Sequence, residues 1–252
     1  MIVLVARLPI PGGRTLVGSL IVGALQYGLS YAFIYWSLLE VPAGLFQVIL
    51  ALVPLMTFVS AILHHQEDFE WRILAGGLLA VAGIAVIFRD QISADVQPFS
   101  LLAIVFAAVC IAEASVLYKK FPGMHPVTTN MVGMLLGALM LFFVSWLFGE
   151  PAVIPGRTST WLALSYLVVF GSVTAFVLIF FVLSRWKASI TANQLVIMPV
   201  VTIISANIIL GEPITRALLL GGSFVLLGVY IGALSPPEIF ERLSGVVFGR
   251  KK

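Results

Sequence analysis

Residues 188–233 read ASITANQLVIMPVVTIISANIILGEPITRALLLGGSFVLLGVYIGA. The same spacing of proline, glutamate and glycine occurs 145 residues earlier in the chain. Five polar or conformationally special residues interrupt this apolar stretch: Pro199, Glu212, Gly221, Gly222 and Gly228. Their counterparts at the same offset are Pro54, Glu67, Gly76, Gly77 and Gly83. Apolar residues match easily by chance, so the proline, the glutamate and the glycines carry the comparison. A repeat at a fixed offset predicts two copies of one structural unit.

The composition excludes an ordinary soluble protein. Of the 252 residues, 61% are hydrophobic and 10% are charged. Soluble domains are about 45–50% apolar and about 25% charged. A soluble core of this size cannot bury so much apolar surface, so lipid must solvate most of the chain. The composition therefore predicts a polytopic membrane protein. The net charge of +3 gives no reason to expect a nucleic-acid partner.

Charges and proline or glycine clusters divide the chain into apolar segments of the length that a membrane helix needs, about 20 residues. The segments run continuously apolar and do not alternate as the strands of a barrel would. Backbone groups in lipid must be satisfied within the segment, so helices are expected. The fold class is all-α, with eight transmembrane helices at about 15–37, 42–63, 71–88, 98–118, 127–148, 160–183, 188–210 and 215–235.

The basic residues predict the orientation. With the N-terminus in the cytoplasm, only Arg89, Arg157 and Arg216 lie outside. The other eleven basic residues lie inside: Arg7, Arg14, Arg72, Lys119, Lys120, Arg185, Lys187, Arg242, Arg250, Lys251 and Lys252. This bias agrees with the positive-inside rule. Both termini are then cytoplasmic, which predicts an integral protein of a bacterial-type inner membrane.

The two copies of the repeat contain the second and the seventh segment, each with the segment that follows it. The second copy begins five segments after the first, an odd number, so the copies cross the membrane in opposite directions. Inverted repeats of this kind are typical of transporters that alternate access around a site at mid-membrane. An old duplication kept only for packing is the alternative.

The paired hairpins resemble the EamA-type transporters of the drug/metabolite transporter superfamily. The first hairpin reads AFIYWSLLEVPAGLFQVILALVPLMTFVSAILHHQEDF, followed by GGLLAVAGIAVIF. The second reads AFVLIFFVLSRWKASITANQLVIMPVVTIISANIILGEPIT, followed by GGSFVLLGVYIGAL. The resemblance implies ten helices in two inverted five-helix repeats, and this sequence lacks counterparts of the first two. It implies a first, incomplete repeat of three helices at 1–89, a second repeat at 98–235, and a basic cytoplasmic tail at 236–252.

The repeated prolines and glycines have different expected roles. Pro54 and Pro199 fall in the middle of predicted helices, where proline removes a backbone hydrogen bond and bends the helix. We interpret them as kinks that shape or gate a cavity, against the alternative of tolerated membrane prolines. The repeated glycines are interpreted as positions of close helix packing: Gly76, Gly77, Gly83, Gly221, Gly222 and Gly228. A homodimer face is possible but is the weaker interpretation.

Polar side chains within the apolar segments are the candidates for a substrate cavity. An amide in hydrocarbon costs free energy unless it finds a partner or a wet cavity. The candidates are Tyr27, Tyr31, Gln47, Asn193 and Gln194. Each could equally be a contact that holds helices together. By resemblance, Gln47, Asn193 and the tyrosines match cavity-lining helices better than Asn130 does.

Glu113 is the one ionisable residue well inside a predicted span. Such residues usually face the bundle interior or a water-filled path. We expect Glu113 to line the cavity, where it would couple transport to protons or meet a cationic group. A buried structural pair, or a contact to Lys120, is the alternative.

The function expected from these features is secondary transport of a small metabolite or amino-acid-like solute, as an exporter, by alternating access. One rival is a non-transporting assembly component or inactive fragment, and another is an intramembrane enzyme, which would need more catalytic groups than Glu113. We expect no cofactor and no metal, because His64 and His65 have no evident third ligand. The expected partners are a small-molecule substrate and the lipid bilayer.

Overall fold

The computed structural model describes residues 12–92, 97–121, 123–151, 154–186, 188, 198–211 and 213–234. Within these ranges there is no β-strand, which confirms the all-helical prediction. The helices are α1 (Gly13–Ser37), α2 (Ala43–Leu63), α3 (Trp71–Ile92), α4 (Pro98–Lys120), α5 (Pro126–Leu147), α6 (Thr158–Leu183), α7 (Met198–Leu210) and α8 (Arg216–Val229, continuing as a π-helical turn over Tyr230–Leu234).

Five of these helices are long and apolar enough to cross a membrane: α1, α2, α4, α5 and α6. The other three contain shorter apolar stretches among the described residues: Ala75–Ile87, Val201–Leu210 and Arg216–Gly232. All eight predicted segments therefore coincide with helices, at least in part. Eight membrane crossings remain a prediction, because only five helices meet the length and composition of a span.

The chain forms two compact units, and each unit combines segments from both sequence halves. Unit 1 comprises the described parts of Met1–Ala32 and Glu113–Lys187. Unit 2 comprises the described parts of Phe33–Ala112 and Ala188–Lys252. The boundaries between the units fall inside α1 and inside α4. The predicted repeats, 1–89 and 98–235, are thus each divided between the two units.

Helix α2 is the centre of unit 2. In its most apolar window, 78% of the residues are buried. Leu45 and Ile49 of α2 belong to one apolar core with Leu101 of α4 and Val225 of α8. A helix that is apolar on all sides can pack within a bundle or face lipid, and α2 packs within the bundle.

Helix α2 is interrupted at Ala51 and Leu52, between the segments Ala43–Leu50 and Val53–Leu63. The Leu52 amide donates to the Ile49 carbonyl at 3.0 Å, a tighter turn than the α-helix makes. Pro54 is the second residue of the following segment. The first turn of a helix has amides without intrahelical partners, so proline fits there. Pro54 therefore lies in the interior of α2, directly after this interruption, and its role as a kink that shapes or gates a cavity remains a prediction.

Helices α3 and α8 pack through the repeated glycines in unit 2. A Cβ added at Gly76 would collide with the Gly228 carbonyl oxygen, and one at Gly228 with the Gly76 carbonyl oxygen. At the other end of the crossing, a Cβ at Gly83 would lie 2.5 Å from the Gly221 carbonyl oxygen, and the reverse distance is also 2.5 Å. The earlier glycine of α3, Gly76, faces Gly228, which is the later glycine of α8, and Gly83 faces Gly221. The two helices are therefore antiparallel.

The second glycine of each pair does not take part in this backbone contact. A Cβ at Gly77 would meet no described atom within 4 Å, so its predicted packing role remains a prediction. A Cβ at Gly222 would make only ordinary contact with Val48, at 3.7 Å. Successive residues of a helix point about 100° apart. Gly77 and Gly222 therefore turn away from the α3–α8 crossing.

All five tryptophans lie at or just beyond helix ends and are at least half exposed. They are Trp36, Trp71, Trp146, Trp161 and Trp186. The indole nitrogen of Trp161 donates to the Pro155 carbonyl at 2.9 Å. Tryptophan is enriched where membrane helices reach the polar headgroups. Together with the apolar helices, these positions agree with an integral membrane protein.

Candidate functional site

Two π-helical segments interrupt the α-helices of unit 1. One is Ala24–Leu29 in α1, and the other is Leu167–Thr174 in α6. Helix α6 begins 145 residues after α1, and residues 24–29 map at the same offset onto 169–174, within the second π segment. A π turn contains one residue more than an α turn and is frequent at functional sites. The two irregular segments therefore overlap at the offset of the sequence repeat.

Tyr27 lies in the first π segment and is 3% exposed. Its hydroxyl donates a hydrogen bond of 2.5 Å to the side-chain oxygen of Asn130, which is 4% exposed. A phenol and an amide buried among apolar helices need partners, and each satisfies the other. The bond ties α1 to α5 at a position 14 residues into the 25-residue helix α1.

Two glycines of α5 allow α1 to approach closely enough for this bond. A Cβ at Gly133 would lie 3.1 Å from Tyr27 Cε2 and 3.0 Å from Gly23 Cα. A Cβ at Gly137 would overlap the Cβ of Tyr27 and lie 2.9 Å from its carbonyl carbon. The spacing of small residues by four places both on one face of α5. The packed face of α5 therefore receives Tyr27.

Three aromatic rings form a cluster, which we call the ring cluster: Tyr27, Tyr31 and Phe176. The centroids of Tyr27 and Phe176 are 4.9 Å apart at an interplanar angle of 75°. Tyr31 lies 6.2 Å from Tyr27 and 6.4 Å from Phe176, also edge to face. Such arrangements suit the ring quadrupoles. Tyr31 and Phe176 are themselves 145 residues apart, which is the offset of the sequence repeat.

The structure brings together some of the residues predicted from the sequence. Tyr27 and Tyr31 are adjacent, whereas Gln47 lies in α2 within unit 2. Gln47 is half-buried, and its side chain makes no hydrogen bond within the described part of the chain. Glu113 is half-buried in α4 within unit 1. The cavity roles of these four residues remain predictions.

Three predicted residues fall wholly or partly outside what the structure describes. Asn193 and Gln194 lie outside the described residues. Pro199 falls in α7, but its side chain is not described, so its predicted kink remains a prediction.

Sequence reasoning missed two members of the site. Asn130 was ranked below the other amides, although it is the partner of Tyr27. Phe176 was not a candidate, because a phenylalanine in an apolar segment is not distinctive. Its distance of 145 residues from Tyr31, the offset of the repeat, was the one signal in the sequence that pointed to it.

The chemistry available at the ring cluster is binding rather than bond making. Its groups are aromatic faces, tyrosine hydroxyls and one amide, which provide apolar contact and neutral hydrogen bonds. Among the described residues, no three His, Cys, Asp or Glu side chains lie close enough together to hold a metal ion. Sites for small ligands are commonly apolar with a few placed polar groups. The ring cluster has this character.

The model of the EamA-like transporter family matches residues 1–89 and 98–233. An uncharacterized transporter of Archaeoglobus fulgidus is 25% identical over 81% of this chain and 74% of its own length. A probable amino-acid metabolite efflux pump of Escherichia coli is 25% identical over 82% of this chain and 75% of its length. A probable biotin transporter of Pseudomonas aeruginosa is 35% identical, over 57% of this chain and 51% of its length.

The fold is also found in a solved protein. One crystal structure matches 91% of this chain and 80% of its own chain, with a TM-score of 0.64 and 22% sequence identity. At this identity the likeness concerns the fold alone.

Proposed function

The chain belongs to the EamA-like transporter family, and on this premise we propose that it is a secondary transporter of a small metabolite or amino-acid-like solute. The proposed mechanism is alternating access around the ring cluster, with export as the physiological direction. The relatives named as transporters and efflux pumps support a transporter rather than an enzyme.

The observation that carries this proposal is the contact between Tyr31 and Phe176. In a two-fold arrangement, rotation exchanges the two copies of a repeat, so equivalent residues can touch only close to the axis. Tyr31 and Phe176 are 145 residues apart, and we infer from this offset that they correspond in the two copies; their ring centroids are 6.4 Å apart. In inverted-repeat transporters the substrate site lies near the bilayer midplane, at the interface of the repeats. We therefore assign the substrate to this position.

The glycine crossing in unit 2 supports the inverted repeat independently. The offset of 145 residues converts Gly76 into Gly221 and Gly83 into Gly228. The contact of Gly76 with Gly228 thereby becomes the contact of Gly221 with Gly83, which is also present. Such reciprocity is the signature of a two-fold interface. An antiparallel crossing with this reciprocity is expected for copies of opposite orientation.

The energy source proposed is a solute or proton gradient, because the sequence shows no phosphate-binding loop. Glu113 is the proposed proton carrier or contact for a cationic group. Uptake driven by an imposed proton gradient should be lost in Glu113→Gln, which keeps the shape of the side chain but removes its charge. Wild-type behaviour in this variant would leave Glu113 with a structural role.

The proposed location is the inner membrane of a bacterial-type cell, with both termini cytoplasmic. A reporter fused after Lys252 should be active in the cytoplasm, and one inserted near Arg157 should be active outside. The opposite pattern would contradict the inverted orientation of the two copies. A homodimer also remains a proposal, which cross-linking in native membranes would test.

The decisive experiment is transport by the purified protein in proteoliposomes. We expect uptake of at least one of radiolabelled biotin and the twenty amino acids by wild-type vesicles but not by empty ones. Phe176→Ala should abolish this uptake. Phe142→Ala is the matched control, because Phe142 is a ring on α5 that is 74% exposed.

Two results would contradict the proposal in different ways. If wild-type vesicles take up nothing above background, the protein is better described as a non-transporting membrane component. If Phe176→Ala transports as well as Phe142→Ala does, transport stands but the ring cluster is not the substrate site.

A further inference from the structure

Four helix ends meet at one end of unit 1. The rings of Tyr118, near the end of α4, and Phe180, near the end of α6, are stacked with their centroids 4.8 Å apart. A Cβ at Gly18, near the start of α1, would lie 2.5 Å from Cγ of Phe121, which directly follows α4. Helix α5 begins after a short loop from α4. The starts of α1 and α5 and the ends of α4 and α6 are therefore close together.

The charged side chains at this end of unit 1 are all positive, and we call their group the basic end. Within the described part of unit 1, the carboxylates are Glu113 and Glu150. Glu150 lies beyond the far end of α5, and Glu113 lies about 9 Å deeper along α4 than Lys119 does. The basic end consists of Arg14 of α1, Lys119 and Lys120 of α4, and Arg185, which follows α6.

Arg185 is held by an aromatic ring instead of a carboxylate. Its guanidinium carbon lies 4.1 Å from the centroid of the Phe181 ring. Both side chains are exposed, and Arg185 makes no ion pair with any residue that the structure describes. A guanidinium stacked on a ring still presents the N–H groups of its edge, which match a phosphate with two parallel hydrogen bonds. Arg185 is therefore suited to bind a phosphate.

The surroundings of Arg185 place it at the depth of lipid headgroups. Helix α6 has 26 residues, which is enough to cross a hydrocarbon core of about 30 Å. Trp186, the next residue, is 58% exposed, and tryptophan is enriched at the headgroup level. In the most apolar window of α6, the described part of the chain buries only 11% of the residues. Acyl chains can therefore lie along α6 while their headgroup reaches Arg185.

We propose that the basic end of unit 1 binds the headgroup of an anionic phospholipid, with Arg185 in contact with the phosphate and the other three basic residues adding electrostatic attraction. Basic pockets between membrane helices on the cytoplasmic side are suited to such headgroups. A zwitterionic lipid carries a cation beside its own phosphate, so a lipid with net negative charge is favoured. This inference is independent of the proposed transport function.

Unit 2 offers no such surface within its described part. Arg72 is its described basic residue on the predicted cytoplasmic side, but Arg72 is 7% exposed and pairs with Glu70. Glu67 and Asp68 add negative charge to the same loop between α2 and α3. We therefore expect the preference for anionic lipid to arise from unit 1.

The test is lipid binding to the purified full chain, measured by native mass spectrometry in a non-ionic detergent. The probes are dioleoyl-phosphatidylglycerol and dioleoyl-phosphatidylcholine, which differ only in the headgroup. We expect wild type to bind phosphatidylglycerol more tightly, with an advantage that falls as the salt concentration rises. Arg185→Gln should lower this affinity roughly 5-fold and leave the affinity for phosphatidylcholine unchanged, because one basic residue at an anionic surface contributes a factor of about five.

A second variant keeps the charge and removes only the ring beneath it. Phe181→Leu should lower the affinity for phosphatidylglycerol by roughly 2- to 5-fold, because the guanidinium loses the face that holds it. The matched control for charge is Arg157→Gln. Arg157 is also exposed in unit 1 but lies at the opposite end, at the start of α6. We expect Arg157→Gln to bind phosphatidylglycerol as wild type does.

Two results would overturn the proposal. One is equal affinity of wild type for the two lipids, and the other is an equal loss of affinity in Arg185→Gln and Arg157→Gln. Soluble glycerol 3-phosphate separates a lipid from a free phosphate ester. If it displaces phosphatidylglycerol at similar concentrations, the basic end takes a soluble ligand and the lipid assignment is wrong. Failure of glycerol 3-phosphate to compete would support the lipid as the occupant.

Discussion

The two close helix crossings of this protein use glycine in different ways. Between α3 and α8, glycine meets glycine, and backbone carbonyls are among the atoms that exclude a larger residue. Between α1 and α5, the glycines of α5 receive Tyr27, and a side chain supplies part of the contact. At Gly76, the first crossing presents only backbone atoms, which cannot rotate away. The second crossing presents a ring, held by a hydrogen bond to Asn130.

Because of this difference, we expect the α3–α8 crossing to be rigid and the α1–α5 crossing to be able to rearrange. A side chain can move to another rotamer to make room for a larger neighbour, but a backbone atom cannot. The α3–α8 crossing therefore cannot accommodate a larger residue at Gly76 by a rotamer change. A crossing that contains a tyrosine and a π turn has alternative arrangements close in free energy. We expect α3 and α8 to move as one body, and the α1–α5 crossing to be the part that responds to a ligand.

The largest effect is expected in the glycine crossing. Gly76→Ala should destabilise the protein by about 2–3 kcal/mol, because the new Cβ would overlap backbone atoms of Gly228 and Gly232. Its neighbour provides the control, since Gly77→Ala should be neutral or stabilising by up to about 1 kcal/mol. Unfolding in mixed detergent and SDS micelles measures both. Equal losses for the two variants would contradict the packing described for α3 and α8.

A double-mutant cycle should show that a side chain can relieve strain in the second crossing. Gly133→Ala should cost about 1–3 kcal/mol, and part of that cost should disappear when Tyr27→Ala removes the crowding ring atoms. Gly137→Ala is the matched control: its new Cβ would meet the Cβ and carbonyl carbon of residue 27, which alanine retains. SDS unfolding of the single and double variants gives both coupling energies. Equal coupling at Gly133 and Gly137 would show that the Tyr27 ring does not relieve this crossing.

The hydrogen bond at the second crossing should contribute less than its packing. Tyr27→Phe should lower stability by about 1 kcal/mol, since hydrogen bonds between membrane helices average about 0.6 and reach about 1.7 kcal/mol. Tyr166→Phe removes a hydroxyl from a residue that is 63% exposed and should have almost no effect. The same unfolding measurement compares them. If Tyr166→Phe lowers stability as much as Tyr27→Phe does, the hydrogen bond to Asn130 is not the cause of the lower stability.

The smallest effect is expected at a polar contact outside both crossings. The Ser100 hydroxyl donates to a carboxylate oxygen of Glu40 at 2.6 Å, and Glu40 is exposed. Ser100→Ala should cost only about 0.5 kcal/mol, because solvent and salt screen exposed charges. The control is Ser223→Ala, whose hydroxyl bonds only within its own helix. A loss above that of Tyr27→Phe would mean that the contact with Glu40 stabilises the fold more than the buried bond to Asn130 does.

The helices could be predicted from the sequence, but the details of their packing could not. Continuous apolar runs and charge breaks are local signals, so they located α1 to α8. Irregular turns change the direction in which the following side chains point. Because neither π segment has a distinctive sequence, these directions could not be predicted. The sequence placed Pro54 inside α2 but gave no sign of the interruption at Ala51 and Leu52, which contains no glycine. It gave Gly76 and Gly77 the same packing role, although successive residues point about 100° apart and do not both face α8.

The site was harder to predict than the fold for a related reason. Polarity identified Tyr27 and Tyr31, because hydroxyls in apolar segments stand out. It could not identify Phe176, whose ring is apolar and is distinguished only by its contacts with Tyr27 and Tyr31. The preference for Asn193 over Asn130 followed the family resemblance, whereas the hydrogen bond to Tyr27 depends on how closely α5 approaches α1.

From the overlap of the two π segments at the offset of the repeat, we infer an order of events in the history of the chain. A π turn is one residue longer than an α turn, so the insertion of a single codon is enough to create one. Two separate insertions would have had to occur at the same offset to produce Ala24–Leu29 and Leu167–Thr174. A single insertion in the ancestral half, before the gene duplicated, requires only one event. The irregular turn would then be older than the two-copy protein, and it outlasted the divergence of the side chains around it.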